Sequence, residues 1–367
     1  MSRKNHLGRV TIKALVLTIA LLAAPIARAQ GTMAVSSQAA MMHRSKAKKA
    51  VKGKSFIRKS VDFIEYVLND MDSTYIVPSR FNLTLFPMYS YRYEHYRFSS
   101  PEEQQSIYVA PQSRNKIGLY IGWRWLAIGY NFDLQDSRPQ TDFNLSLYSQ
   151  RIGLDLFYRK NSGGYRIRHI SGFNENGNPL QEYNSYFDGL AVRQLGFNLY
   201  YIFNKRFAYP AAYSHTTRQR FSAGSFILGA NYNNQKFIFD HNGLDPKIVA
   251  LLQPGLKFNE LEYNDFSINF GYSYNWVFAK NCLASISITP AVGYKHTSSG
   301  NDDSNKFWSH INYDLITRAA LVYSKDRFYT GASLVSHSYY YNKDQLSIIN
   351  GFSIIRVYAG INFWRRK

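Results

Sequence analysis

The sequence predicts an all-β protein, a transmembrane antiparallel up-and-down β-barrel of about twelve strands with a short N-terminal helix. Three observations lead to this fold class. Residues 263–280 alternate large apolar with small polar side chains, the period of a strand with two unlike faces. Aromatic residues make up 16% of the chain, with 30 Tyr and 25 Phe, more than a soluble core needs. Beyond the N-terminal region, no apolar run reaches the length of about 20 residues that a spanning helix requires.

The first 29 residues have the parts of an export signal. Four basic side chains stand near its start: Arg3, Lys4, Arg9 and Lys13. The apolar run 14–24 is too short to span a membrane, and Ala-Arg-Ala at 27–29 offers a cleavage site. A short N-terminal anchor is the alternative. The sole cysteine, Cys282, excludes internal disulfides and any thiolate zinc cluster.

The net charge of +20 is unevenly distributed. Residues 1–59 hold 13 of the 44 Lys and Arg residues and no Asp or Glu, so the high pI does not indicate a nucleic-acid partner. We predict a basic flexible periplasmic tail at 30–59, with weak contact to anionic headgroups as the alternative. Residues 60–79 are predicted to form a short amphipathic helix, at 60–70, and a segment that leads into the barrel.

Residues 80–367 are predicted to be strands almost throughout. The apolar set moves from odd positions in 117–123 to even positions in 126–134, which predicts a turn at Arg124-Trp125. The same alternation recurs at 152–158, 197–203, 284–294 and 355–363.

The polar faces of these strands identify the surroundings. They carry Gly, Ala, Ser, Asn and Thr, whereas the water-facing side of a β-sandwich usually carries Lys and Glu. Small polar side chains suit the inside of a barrel, and the apolar face then meets lipid with aromatic residues near the headgroups. We therefore predict a protein of a Gram-negative outer membrane, with a soluble exported β-protein as the alternative.

The connections alternate between short and long, as in outer-membrane barrels. The five short turns are predicted at 124–125, 149–151, 204–206, 279–281 and 324–326. The longer stretches are 96–113, 161–189, 239–257 and 298–307, with shorter ones at 136–140 and 342–346. This count gives twelve strands with both chain ends in the periplasm, although 204–219 is long for a periplasmic turn. The C-terminal "VYAGINFW" resembles the signal read by the outer-membrane assembly machinery, although Arg-Arg-Lys follows where a terminal Phe is usual. Predicted partners are this machinery and outer-membrane lipids.

Two stretches resemble a known family. They are "NKRFAYPAAYSHTTRQRFSAGSFILGANY" at 204–232 and "NKIGLYIGWRWLAIGYNF" at 115–132. They resemble an uncharacterised family of Bacteroidota outer-membrane proteins, a domain of unknown function. The layout is similar over about 60–367, with a signal, a short helix, "DSTYIVP" near residue 72 and then hairpins. The resemblance implies a barrel and supplies no activity or catalytic residues.

No catalytic or metal constellation is recognisable. The chain has no H-E-x-x-H, G-x-S-x-G or P-loop motif. His215 follows Ser214, and His337 lies between two serines, but a Ser–His pair also needs an orienting group and an oxyanion hole. Asp302 and Asp303 lack the spacing of a calcium loop. We predict no cofactor and no enzymatic activity.

Charged residues on the predicted inner faces are the candidate lumen-lining residues. They are Asp133, Asp155, Arg159, Asp265, Lys295 and Arg318. Buried charges are costly unless they are paired or hydrated, so these residues either line water or bond one another. A second candidate segment contains Lys205, Arg206, His215, Arg218 and Arg220. The lumen is either open or filled by the helix at 60–70 or by 204–219.

The predicted function is an outer-membrane barrel, non-enzymatic, that passes or binds a small solute. One alternative is a structural or adhesive barrel that acts through its outer loops, chiefly 161–189 and 239–257. Another is a lipid-acting barrel enzyme, for which the region of His215 is the only clue. The sequence names neither a solute nor a protein partner.

Overall fold

The protein is all-β, and its computed structural model describes residues 70–100, 104–112, 114–124, 126–134, 141–175, 178–179, 184–297, 311–343 and 346–365. In chain order the strands are β1 (Ile76–Pro78), β2 (Phe81–Ser100), β3 (Gln105–Pro111), β4 (Arg114–Trp123), β5 (Leu126–Asp133), β6 (Thr141–Tyr148), β7 (Ile152–Ser162), β8 (Tyr165–Ser171), β9 (Asn174–Glu175), β10 (Asn178–Pro179), β11 (Ser185–Phe187), β12 (Leu190–Ile202), β13 (Thr217–Gln219), β14 (Ala223–Phe239), β15 (Glu260–Ala279), β16 (Cys282–Thr297), β17 (Ile311–Lys325), β18 (Phe328–Lys343) and β19 (Leu346–Arg365). The helices are α1 (Tyr209–Tyr213) and α2 (Pro246–Leu251), with 3-10 turns at His241–Gly243 and Pro254–Leu256.

Twelve of these strands form a closed antiparallel barrel, which confirms the predicted fold class and strand count. They are β2, β4, β5, β6, β7, β12 and β14 to β19. Closure follows because β2 pairs with β19 on one side and with β4 on the other. A closed barrel has no open sheet edge, so every backbone group of its wall can be paired inside a lipid bilayer.

The tight turns lie together at one end of the barrel, which we name the turn end. Arg124, Asn281 and Asp326 each adopt a left-handed backbone there, with φ of 53°, 67° and 52°. Asp and Asn tolerate this conformation better than most residues with a side chain. The opposite end, where the longer connections lie, is the loop end.

The outer surface of the barrel is an apolar belt. On β15, Ile268 is 66% exposed, whereas Ser273 and Asn275 are fully buried, so the even positions of 263–280 face outward and the odd positions face the lumen. Aliphatic and aromatic side chains share the belt, and Trp276 and Phe278 lie near its turn end. An exposed apolar surface of this extent is typical of contact with lipid.

Ordered structure occupies the loop end, where the sequence predicts only long polar connections. The outer part of β2 leaves β4 and pairs with β3, β3 pairs with β8, and β8 pairs with β11. Helix α2 and both 3-10 turns lie between β14 and β15. We name β3, β8, β11 and residues 240–257 the cap. Its strands are too short, and its apolar residues too interspersed with polar ones, for the pattern to predict them.

The cap has a hydrophobic core of its own. Its buried side chains pack against the outermost inward-facing residues of the barrel, which at this end are apolar. Those cap residues include Ile107, Val109, Ile167, Ile170, Phe187, Leu244, Ile248, Leu252 and Leu256, and the barrel residues include Phe98, Leu190, Phe237, Phe239, Tyr263 and Ile348. The cap therefore covers the mouth of the lumen at the loop end on the side of β2, β12, β14, β15 and β19.

The segment between β12 and β14, residues 203–222, turns into the barrel at the turn end, and we name it the plug. It contains α1 and β13, and β13 pairs with β1 of the N-terminal segment. This position agrees with one of the two arrangements left open above, a lumen filled by 204–219.

Several predicted features lie outside the described residues. They are the export signal, the basic tail, residues 60–69 of the predicted helix, the loop at 136–140, and Asp302 with Asp303. In the portion that is described, no helix combines the length and apolarity needed to cross a membrane.

Candidate functional site: the closed lumen

The plug lies across the lumen because its contacts come from around the barrel wall. The Tyr209 ring packs against Tyr148 of β6 and Tyr200 of β12, with centroids 5.4 and 5.0 Å apart. Its hydroxyl accepts a hydrogen bond from Arg318 of β17. On β15, Asn275 Nδ2 donates to the Ala208 carbonyl at 2.9 Å.

His215 completes these contacts on the other side of the lumen. Its ring stacks on Tyr329 of β18 and Tyr358 of β19, with centroids 4.2 and 4.8 Å apart, and meets the edge of Phe86 of β2 at 5.9 Å. The backbone of His215 is left-handed, with φ of 59°, one residue beyond the C-cap of α1. Packing holds this backbone conformation, which costs free energy in a residue that is not glycine. Ser225 of β14 accepts from the Asn204 amide at 2.9 Å, and Leu283 of β16 packs in one cluster with Ala211 and Ala212, so at least nine of the twelve barrel strands contact the plug.

The side chain of Gln219 forms hydrogen bonds with other parts of the plug and with the barrel wall. Its Oε1 accepts from the Ala208 amide at 2.8 Å and from Asn275 Nδ2 at 3.2 Å. Its Nε2 donates to the carbonyls of Arg206 and Phe221 at 2.6 and 2.8 Å. One buried amide side chain thus pairs three backbone groups of the plug that would otherwise lack partners.

The N-terminal segment is tied to the plug at the turn end. Lys205 Nζ lies 2.9 Å from Asp70 Oδ1, and Arg206 Nε lies 3.1 Å from Asp72 Oδ2. The Thr74 amide, foremost, and Arg206 lower the pKa of Asp72, which is exposed. Because β1 also pairs with β13, any movement of residues 70–78 bears directly on the plug.

Between the cap and the plug lies a cavity of about 110 Å³, lined by apolar and charged side chains. Among the described residues, its lining includes Arg159, Arg318 and Arg356 against a single carboxylate, Asp155. Asp155 is fully engaged, because it accepts from Ser146 Oγ at 2.9 Å, from the Tyr148 hydroxyl and from Arg318 Nη2 at 3.1 Å.

A charged cluster adjoins this cavity on the side of the cap. Asp142 Oδ2 lies 3.0 Å from Arg92 Nη1 and 3.4 Å from Lys116 Nζ, and Asp142 Oδ1 lies 3.8 Å from Arg159 Nε. Arg92 also pairs with Glu94. One aspartate is therefore shared by three cations, and its distance from Arg159 is too long for a hydrogen bond.

A second polar cluster occupies the wall around β15 and β16. Lys295 Nζ lies 3.8 Å from Asp265 Oδ2 and donates to the Tyr340 carbonyl. Asn312 Nδ2 donates to both oxygens of Asp265 at 3.4 Å. Gln235 Oε1 accepts from the Tyr263 hydroxyl at 2.6 Å, directly below the cap. These bonds link the side chains on this side of the lumen, although Gln235 Nε2 and Asn312 Oδ1 have no partner among the described residues.

The candidate lumen-lining residues all lie on inward-facing positions. Asp155, Arg159 and Arg318 meet around the cavity, whereas Asp265 and Lys295 form the separate cluster. Asp133 is half-buried at the end of β5, in register with Lys116.

The second candidate segment divides in two. His215 is buried in the lumen, whereas Lys205, Arg206, Arg218 and Arg220 are exposed at the turn end. Arg218 Nη1 donates to Asn281 Oδ1 at 3.0 Å, and the Arg220 amide donates to the Tyr75 carbonyl at 2.7 Å.

Sequence reasoning missed Gln219, Tyr209 and Arg356. Gln219 and Tyr209 belong to a segment without period-2 patterning, and Arg356 is one inward-facing arginine in an apolar strand. No local signal distinguishes these three from other polar residues, because their partners lie far away in the sequence.

Ser214 and His215 do not form a catalytic pair in this geometry. The Ser214 hydroxyl lies 3.3 Å from the Pro210 carbonyl and 3.1 Å from Thr216 Oγ1. His215 Nδ1 has no hydrogen-bond partner among the described residues. Within those same residues, no group of three or more His, Cys, Asp or Glu side chains is placed to hold a metal ion.

Residues 70–363 match the family described as Domain of unknown function (DUF4421). The chain belongs to this family. The family description assigns no activity, and the match spans the N-terminal segment, the plug, the cap and the barrel. A search of the curated proteins finds no match.

This family member is also similar to solved outer-membrane proteins. The β-domain of the Bordetella autotransporter BrkA is 11% identical, with a TM-score of 0.36 over 76% of this chain and 100% of that chain. The Pseudomonas putida toluene transporter TodX is 7% identical, with a TM-score of 0.28 over 77% and 90%. OmpT, an outer membrane protein of Vibrio cholerae, is 8% identical, with a TM-score of 0.25 over 76% and 98%.

Proposed function

We propose that this protein is a non-enzymatic outer-membrane barrel whose lumen is closed at rest and admits a small solute when the plug moves. The observation that carries this proposal is the plug itself, which crosses the lumen and contacts at least nine strands. A barrel whose interior served only structure could be filled by side chains of its own wall. Here a separate segment, anchored at the turn end, does the closing.

The surroundings of the barrel follow from its surface. The apolar belt would contact the acyl chains of outer-membrane lipids, and its aromatic ends would lie near the headgroups. Short turns are periplasmic in such barrels, so the turn end, the N-terminal segment and the plug would face the periplasm. The assembly machinery is a further proposed partner, which would read the "VYAGINFW" part of β19.

The plug rather than the cap is the movable closure. Helix α1 buries Ala211 and Ala212 against the wall, and Ala208 lies beside them. Such small side chains bury little apolar area, whereas each Leu, Ile or Phe of the cap contributes about 1.5–3 kcal/mol by burial. The plug also buries two rings, Phe207 and Tyr209, and is otherwise held by hydrogen bonds, whose partners water can replace more easily than it can replace an apolar core.

Conductance across a planar bilayer tests the proposal. The refolded chain should be closed most of the time, with brief openings. Gln219→Ala leaves the Ala208 amide and the carbonyls of Arg206 and Phe221 without their partner, at a cost of about 3 kcal/mol to the closed state. Openings should then become on the order of a hundred times more frequent.

The matched control is Gln194→Ala, which removes a buried, inward-facing glutamine of β12 that does not contact the plug. It should leave the frequency of openings unchanged. If neither the wild type nor Gln219→Ala ever conducts, although both fold into the bilayer, the plug is a permanent filling and the proposal fails.

The two alternative functions stay predictions. An adhesive role through 161–189 and 239–257 would use the exposed side of the cap, because the buried side forms the cap core. A lipid-acting role for the His215 region would need Ser214 or His215 to reach a lipid, and both are buried in the lumen. Lipid turnover by the wild type that His215→Asn abolishes would support the enzyme instead.

A further inference from the structure

The central cavity contains polar groups that the protein does not satisfy. Among the described residues, Arg159 Nε and Nη1, Arg318 Nε, His337 Nε2 and the Tyr358 hydroxyl are buried without a hydrogen-bond partner, and all four residues line the cavity. Only 9% of the surface of Arg159 is exposed. A buried donor without a partner costs about 1–3 kcal/mol, and more when it is charged.

The environment of Arg159 holds the guanidinium in place without pairing it. Its centre lies 4.4 Å from the centroid of the Phe352 ring and 5.0 Å from that of Phe157. The nearest carboxylate, Asp142, is 3.8 Å from Nε and is already shared with Arg92 and Lys116. The aromatic rings fix the plane of the fork, and its Nε and Nη1 have no hydrogen-bond partner among the described residues.

The charge of the lining favours an anion. Three arginines face one carboxylate, and that carboxylate is occupied by Arg318 and two hydroxyl groups. Arg356 is half-buried and forms no ion pair with the described residues. An arginine fork matches the two oxygens of a carboxylate or phosphate, to which it donates two parallel bonds.

The size of the cavity limits the ligand. Its volume of about 110 Å³ is several times the roughly 10–15 Å³ that one water molecule needs. It is smaller than the roughly 150 Å³ of an engineered apolar cavity that binds benzene. A small oxyanion with a few non-hydrogen atoms fits these limits, and a sugar or a nucleotide does not.

We propose that the cavity around Arg159 is a binding site for a small oxyanion, a phosphate or a short carboxylate, and that this is the class of solute the lumen admits. The site deepens the proposed function and rests on it for the route by which the anion enters. Arg159 would hold the oxyanion with its fork, Arg356 would supply a second positive charge, and His337 and Tyr358 would supply polar contacts.

Equilibrium binding of inorganic phosphate to the full chain in detergent tests the site, with sodium acetate as the second probe at matched ionic strength. We expect saturable binding of one of the two anions and a rise of the unfolding temperature with its concentration. Arg159→Gln should weaken binding by about tenfold to a hundredfold. Arg193→Gln, which removes an arginine of the barrel rim paired with Glu262 at 3.2 Å, should bind as the wild type does.

Two results would overturn the site. One is a wild type that binds neither anion more strongly than chloride, which would leave water as the content of the cavity. The other is equal binding by Arg159→Gln and the wild type, which would place the anion elsewhere. If Arg159→Gln does not fold, Arg356→Gln takes its place, with an expected loss of at least about threefold and the same two contradicting outcomes.

The binding measurement tests the anion site independently of the moving plug. Binding in detergent does not require conduction. If the protein binds the anion but never conducts, the anion site is supported and the moving plug is refuted. Conversely, if Gln219→Ala conducts but the protein binds neither anion, the moving plug is supported and the anion site is refuted. If both proposals hold, Gln219→Ala should bind phosphate or acetate faster than the wild type, because the plug no longer covers the cavity.

Discussion

The cap covers part of one end of the lumen and the plug blocks the other end, and the two are held by different means. The cap belongs to a continuous cluster of 20 buried hydrophobic residues, which joins its short strands and α2 to the barrel wall. The plug contributes alanines, a few aromatic rings and a network of hydrogen bonds centred on Gln219 and Tyr209. Apolar cores resist opening in proportion to their buried area, whereas polar contacts can be exchanged for contacts with water. The kind of contact that holds each element, apolar or polar, therefore indicates which of the two moves, whereas its position in the lumen does not.

The chain connectivity supports the same distinction. The cap is built from three separate connections, so its displacement would require several parts of the chain to leave the core together. The plug is one continuous connection between β12 and β14, and it is paired with the N-terminal segment through β1 and β13. A force or a partner that acts on residues 70–78 would therefore reach the plug through β1, and would reach β2, which begins at Phe81, as well.

The largest effect on stability should come from the cap core. Phe237→Ala removes a fully buried ring that lies 5.7 Å from Tyr96 and 6.0 Å from Phe98. We expect the free energy of unfolding to fall by about 3–5 kcal/mol, because the truncation leaves a cavity. Urea unfolding in lipid vesicles measures this loss.

The control for that variant is Phe270→Ala, whose ring is exposed on the apolar belt, and it should destabilise the barrel less. In planar bilayers, Phe237→Ala should stay as closed as the wild type. If it opens the lumen as often as Gln219→Ala does, the cap rather than the plug is the movable closure.

An intermediate effect should come from Tyr209→Phe. This change removes the hydroxyl that accepts from Arg318 and keeps the ring that packs on Tyr148 and Tyr200. A hydrogen bond to a charged group contributes about 1.5–3 kcal/mol, so openings should become about ten to a hundred times more frequent. Single-channel recording compares it with Tyr274→Phe, an exposed tyrosine of the belt that should behave as the wild type. Equal opening frequencies in the two variants would show that the Arg318 contact does not hold the plug.

The smallest effect should come from the ion pairs at the turn end. Asp70→Asn with Asp72→Asn removes both carboxylates that hold Lys205 and Arg206. Exposed pairs are weak and screened by salt, so openings should rise by less than about threefold, and the rise should disappear at 1 M salt. A larger rise that persists at high salt would mean that the N-terminal segment holds the plug by more than charge.

The contacts of Asp72 alone give the pH dependence its sign. Because the Thr74 amide, foremost, and Arg206 lower the pKa of Asp72 in the folded protein, its carboxylate contributes fully above the ordinary aspartate pKa of about 4. Its contribution is lost as the pH falls from about 4 through the lowered pKa. Openings of the wild type should therefore rise slightly in this acidic window, and the double Asn variant should lack that part of the rise.

The sequence by itself determined the wall of this protein. Period-2 alternation in 263–280 assigned Ile268 to the outside and Asn275 to the lumen, and the structure bears out both. The positions of the short turns, together with the even number of strands that places both chain ends on one side, predicted a closed barrel of twelve strands. These features can be predicted because alternation and turn-forming residues are local properties of the sequence. Each short stretch therefore indicates by itself which side chains face lipid and where the chain turns.

Only the tertiary structure decided what fills the lumen. Arg318 and Asp155 are 163 residues apart in sequence and 3.1 Å apart in the barrel, and Gln219 meets Asn275 across 56 residues. Such contacts depend on strand register and closure, which no local pattern encodes. The cap was missed for a related reason, since short strands that pair only within a folded mouth have no periodicity long enough to recognise. The wall follows from local rules, whereas the plug, the cap and the Arg159 cavity follow from which parts of the chain closure brings together.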